Sequence, residues 1–151
     1  MYSYRNTRAH NSILVNGMTQ KIGTEGYGWI PRWYEGEKIA YMVGDASNAY
    51  GKVTSPLWLK RGELYGTQYT PEKGWDENKL NMFRRHIIQL GSTGVFVIYD
   101  ELEGKEAVTW SYLLHTVELP MEVAEEKDGL RILGKNKADG VSICLLYTSD
   151  A

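Results

Sequence analysis

The feature that most constrains this chain is the lack of a helical repeat. No long segment sets its apolar residues at a 3.6-residue period; short alternating runs take its place, broken by glycine, asparagine and proline. Residues 8–15 alternate, with Ala9, Asn11, Ile13 and Val15 on one face and Arg8, His10, Ser12 and Leu14 on the other. Asn16-Gly17 follows, a strong hairpin signal. Residues 23–28 read as a glycine-rich loop, residues 29–34 and 38–43 as strands around Glu35-Gly36, and residues 44–51 as a turn or short helical turn. Residues 52–79 carry Pro56 and Pro71 without a clean period, which predicts a long excursion of the functional or mobile kind. Residues 80–90 return to strand. Val95-Phe96-Val97-Ile98-Tyr99 is apolar on both faces, which predicts a central buried strand. Val108, Trp110, Tyr112 and Leu114 share one face, against Thr109, Ser111 and His115; residues 117–123 and 130–133 are further short strands. Many short strands separated by turns predict an all-β protein, an antiparallel β-sandwich of low helix content. No repeat or linker interrupts the 151 residues, so one domain is expected.

Composition narrows the function. With 42% hydrophobic and 24% charged residues, collagen-like, low-complexity and disordered chains are excluded. Seventeen Lys and Arg against nineteen Asp and Glu give a net charge of −2, so no global basic field points to nucleic acid, and no nucleic-acid partner is expected. No run approaches the roughly 20 apolar residues of a membrane span. Eleven Tyr and five Trp stand against two Phe. Such amphipathic aromatics suit half-wet surfaces and sugar faces, and they equally suit sandwich cores.

No motif for chemistry is complete. His10, His86 and His115 are far apart and lack metal-ligand spacing. Residues 23–28 open no helix and so form no phosphate loop. Glu125 and Glu126 read as solvated turn residues, and no nucleophile elbow is present. His10 sits on the polar face of its run beside Arg8 and Ser12. His86 alternates with Met82, Ile88 and Leu90, as a buried and satisfied histidine would, and His115 ends a half-buried strand. Arg5, Arg8, Arg32, Lys60, Arg61, Arg84 and Arg85 together offer a surface for anions, since guanidinium pairs carboxylate and sulfate through two hydrogen bonds. Read alone, the same residues are scattered solvated charges.

Four segments carry a resemblance. Residues 5–17, Arg5-Asn6-Thr7-Arg8-Ala9-His10-Asn11-Ser12-Ile13-Leu14-Val15-Asn16-Gly17, resemble the Thr-x-Ala-His-Asn-Thr-hydrophobic-Val-Asp-Gly segment of the heparinase II/III family of polysaccharide lyases. Val43-Gly44-Asp45-Ala46-Ser47-Asn48-Ala49-Tyr50 resembles that family's Gly-Asp-Ala-Ser-x-Ala-Tyr stretch. Phe83-Arg84-Arg85-His86 with Val97-Ile98-Tyr99-Asp100-Glu101-Leu102 is similar to its Arg-His strand and Tyr-Asp-x-Leu turn. Trp110-Ser111-Tyr112-Leu113-Leu114-His115 is similar to its Trp-x-x-Leu-Leu-His strand. The matches keep the family's order and span about residues 5–116.

The resemblance implies a large β-sandwich preceded by a helical toroid, in an enzyme that cleaves acidic polysaccharides such as glycosaminoglycans or alginate by β-elimination. It implies a base for the proton α to the uronate carboxylate, an acid for the leaving oxygen and cations for the carboxylate. The catalytic Tyr and His of the family lie upstream of the matching segments, so no catalytic residue is expected in this chain. Arg5, Arg8 and Asn11 are the expected substrate-binding residues. His10 matches the third ligand of a zinc ion that some members hold with an upstream His and Asp, so zinc is expected in the full-length protein and not tightly here. Residues 1–143 are thus expected to be a sandwich incomplete on its N-terminal side, partnered by the missing toroid. Residues 144–151 resemble the translation of a sequencing adaptor, and the resemblance places the parent enzyme in the periplasm or outside the cell. The rival reading is a non-catalytic β-sandwich that binds carbohydrate by stacking on Trp and Tyr.

Overall fold

A computed structural model of the protein describes residues 6–115, 122–127, 129–135 and 140–146. The chain divides into two compact units, Met1–Leu113 and Leu114–Ala151. The fold is all-β and antiparallel, sandwich-like in character, with one α-helix among the described residues.

In the first unit a 3-10 turn, Thr7–Ala9, precedes strand β1, Ile13–Val15. The strand expected over residues 8–15 is therefore confined to its last three, all of them buried. Asn6 explains the change: its side chain accepts a hydrogen bond from the Arg8 N–H at 3.0 Å and caps the turn, as a short polar side chain at this position does well. The Asn16-Gly17 turn forms, with Val15 and Met18 bonded to each other across it. It opens no longer hairpin, because β1 pairs with β6, Trp110–Tyr112.

The larger sheet contains β2 (Trp29–Glu35), β3 (Ile39–Asp45), β4 (Leu80–Leu90) and β5 (Phe96–Gly104), hydrogen-bonded in that order. Between β3 and β4 the excursion folds into helix α1, Pro56–Leu64, and a 3-10 turn, Pro71–Lys73. Pro56 at the first helical position is a start signal, since its missing N–H would be unpaired there anyway. The nine-residue helix is too short to show a clear period. Among the described residues no helix is long and apolar enough to cross a membrane.

The core lies where β1 and β6 meet one end of the large sheet. Ile13, Val15, Met18, Tyr50, Leu80 and Phe83 are buried there, with Leu102 and Trp110 packed against them. Tyr50 has no exposed surface, and its hydroxyl donates to the Ile13 carbonyl, which leaves no buried polar end unpaired. Beyond this core the sheet is bare. Residues 96–99 do not form a central buried strand: β5 is an edge strand, and Phe96, Val97, Ile98 and Tyr99 are all exposed. Only the far end of β5, at Leu102, reaches the core. Trp33, Tyr34 and Ile39 are exposed on the neighbouring strands, so the apolar surface continues across the sheet.

The second unit is a three-stranded antiparallel sheet of β7 (Glu122–Glu126), β8 (Gly129–Lys135) and β9 (Gly140–Leu146). Glu125 and Glu126 lie on β7 and not in a turn, and Glu126 pairs with Arg131 across the ladder. Residues 117–121 lie outside the described residues. β9 runs through the boundary drawn at residue 143, with Cys144, Leu145 and Leu146 opposite Arg131, Leu130 and Gly129.

Candidate functional site

Strand register brings distant segments side by side. Val43, His86 and Tyr99 form one cross-strand row of β3, β4 and β5. Gly44, Arg85 and Asp100 form the next, and Asp45, Arg84 and Glu101 the third. Because side chains alternate along a strand, the His86 row and the Arg85 row face opposite sides of the sheet.

On one side stands Arg85. Its Nε and Nη2 donate to the two carboxylate oxygens of Asp100 at 2.7 and 2.8 Å, a paired fork. Nη1 donates to the Asn11 carbonyl at 2.9 Å. The guanidinium also lies 5.8 Å from the Phe83 ring centre and 5.6 Å from that of Tyr112. Hydrogen bonding to Asp100 raises the arginine's pKa above its ordinary value, against the effect of burial. One side chain therefore joins β4, β5, β6 and the loop that leads into β1.

The other side carries a chain of polar groups. His86 Nε2 lies 2.9 Å from Glu101 Oε2, and His86 Nδ1 lies 2.7 Å from the Tyr41 hydroxyl. With Glu101 ionised, Nε2–H donates to the carboxylate, and Nδ1 accepts from the tyrosine O–H. Tyr99 packs against the same imidazole, ring centres 5.5 Å apart. The histidine expected to be buried and satisfied is satisfied, with both nitrogens used, but it is half-buried at 18% exposed. Its partners Tyr41 and Glu101 were not expected, because nothing in the sequence gives the register of β3 or β5 against β4.

Next to this chain, Arg84 Nε donates to Asp45 at 3.0 Å. Burial works to raise the Asp45 pKa. Hydrogen bonds from Ser47 and Arg84 outweigh it and hold the carboxyl below its ordinary value. Ser47 Oγ in turn accepts from the Phe83 N–H at 3.0 Å, which ties the turn after β3 to β4.

The expected site residues sit on the segment before β1. His10 ends the 3-10 turn, its N–H donating to the Thr7 carbonyl at 3.1 Å, and its ring is exposed. It therefore stands on a turn and not on the polar face of a strand. Arg8 is half-buried and donates through Nη2 to the Gly17 carbonyl at 2.7 Å. Asn11 is exposed, with its carbonyl turned to Arg85. Arg5 lies outside the described residues. The other basic residues are not gathered: Arg84 and Arg85 point to opposite faces, Arg32 is on β2, and Lys60 and Arg61 are on α1. Among the described residues no group of three His, Cys, Asp or Glu side chains could hold a metal ion. Compared with known families and curated proteins, the chain matches no family model and no curated protein.

Proposed function

We propose that this chain is part of a polysaccharide lyase that cleaves uronate-containing polysaccharide by β-elimination, and that it supplies sandwich scaffold and part of the cleft. The observation that carries the reading is the convergence on Arg85. Segments from all four stretches with the lyase resemblance meet there: Asn11 from the first, Gly44 from the second, Phe83 and Asp100 from the third, and Tyr112 from the fourth. The bare, apolar half of the large sheet supports it further. Exposed apolar area of this extent marks an interface, and a second layer of the parent sandwich would cover it. In this reading the acid and base come from a preceding toroid. Arg5, Arg8 and Asn11 belong to the substrate side, and His10 completes a zinc site with a His and an Asp from elsewhere in the parent. The parent acts in the periplasm or outside the cell.

The test is the longer protein that contains this segment, incubated with heparan sulfate, chondroitin sulfate and alginate. Release of unsaturated uronate from at least one of them is the expected result. A parent without a helical toroid, or one that yields no unsaturated uronate from any of the three, would overturn the proposal. One observation favours a second reading, a carbohydrate-binding module without catalysis. Trp29, Tyr34 and Tyr99 are exposed on the His86 side of the sheet, where aromatic rings can stack on sugars.

A further inference from the structure

Away from that sheet, the excursion between β3 and β4 builds a cleft of about 390 Å³, lined by Trp58, Arg61, Tyr65, Thr67 and Tyr69. It is an open depression, with Arg61 and Thr67 exposed and Tyr65 77% exposed. Trp58, Arg61 and Tyr65 are spaced three and four residues apart, so they share one face of α1 and its C-terminal turn. Two close approaches fix the walls. A Cβ on Gly23, whose φ is +95°, would lie 2.2 Å from Trp58 Nε1, so only glycine lets the indole lie against that loop. A Cβ on Gly62 would lie 2.6 Å from the Tyr69 ring and 2.8 Å from the Thr67 carbonyl oxygen. Tyr69 is held from behind by edge-to-face contact with the buried Trp75, ring centres 5.2 Å apart.

Arg61 is the functional group of this cleft. Its guanidinium lies over Trp58 at 5.0 Å. Among the described residues it makes no ion pair or side-chain hydrogen bond, unlike Arg84 and Arg85, which both face carboxylates. A guanidinium is a planar donor that grips a carboxylate or sulfate through two hydrogen bonds. Tyr65 and Tyr69 add aromatic rings and hydroxyls to the lining, and Thr67 adds another hydroxyl. Flanking aromatics, hydroxyls and one free cation suit a polar ring that bears a single negative group.

We propose that this cleft is a binding site for an acidic sugar unit, with Arg61 on its carboxylate or sulfate and Tyr65 and Tyr69 against its ring. The site is separate from the Arg85 rows. It rests on the lyase reading only for the natural source, a polymer of such units. The test uses the whole chain and calorimetric titration with an alginate-derived tetrasaccharide, a neutral tetrasaccharide and inorganic sulfate. The acidic sugar is expected to bind best. Arg61→Gln should weaken it about tenfold or more, the loss of a charge-assisted pair of hydrogen bonds. Lys38→Gln, an exposed cation between β2 and β3, should leave it unchanged. Unchanged binding by Arg61→Gln, or equal binding of the neutral sugar, would overturn the site. Sulfate binding as tightly as the tetrasaccharide would reduce the cleft to a simple anion hole and overturn the sugar assignment. The two proposals fail separately: a parent without lyase activity leaves Arg61-dependent sugar binding intact, and loss of that binding leaves β-elimination by the parent untouched.

Discussion

At the scale of single residues, Arg85 ties the large sheet to β6 and the segment before β1, and Asp45 ties the turn after β3 to β4. The Asp100 side chain is only 11% exposed. Removing its cation leaves a largely buried charge without a partner. Arg85→Met is therefore expected to cost about 3–5 kcal/mol in urea denaturation, and Arg85→Met with Asp100→Leu should recover most of it. Asp45 acts through pH. Its carboxyl is held below the ordinary value, so its contribution is fully present above the unfolded value of about 4 and fades as pH falls through the lower folded value. Asp45→Asn should lower stability at neutral pH and flatten the loss of stability on acidification; an unchanged acid limb would contradict the assignment. At this scale the sequence was partly legible. His86 read as a satisfied histidine because it alternated with apolar residues. Its partners Tyr41 and Glu101 are far off in sequence and are joined only by register. His10 read as a strand residue, because alternation does not reveal that the Asn6 cap turns the chain first.

At the scale of elements, β4 is the strand the sequence showed best, and β5 the one it misled on. The bounds of β4 agree with the expectation of a strand over residues 80–90, where Met82, His86, Ile88 and Leu90 share one face. A run apolar on both faces usually means burial on both faces. In β5 it means an edge strand whose outer end extends past the core. Paired substitutions separate the two ends. Phe83→Ala removes a buried ring from the core and should cost about 3–5 kcal/mol. Phe96→Thr with Ile98→Thr, at sites 57% and 51% exposed, should cost less than about 0.5 kcal/mol each and should reduce self-association. Thermal melts beside light scattering check both. A large loss from the β5 pair would mean that the edge is covered in solution. Helix α1 was hidden by its shortness, with Pro56 its only signal.

At the scale of the whole molecule, a net charge of −2 gives no long-range attraction to an acidic polymer, so any recognition must be local. Arg61, stacked and unpaired among the described residues, is such a local cation. The antiparallel all-β class was legible because turn signals separate every run. The division into two compact units was not, since no linker composition marks it. The first unit has its own core, and the described ladder of β9 is with β8 alone. A chain ending at Ile143 should therefore keep the melting behaviour of the first unit within about 0.5 kcal/mol, measured through the core aromatics.

The central claim, that this chain carries the scaffold and a sugar contact of a lyase but not its acid and base, is tested most directly with the chain alone. Incubated with heparan sulfate, chondroitin sulfate and alginate, it should bind at least one of them, with affinity falling as salt rises, and release no unsaturated uronate from any. Robust turnover, or no binding to all three at low salt, would contradict the account.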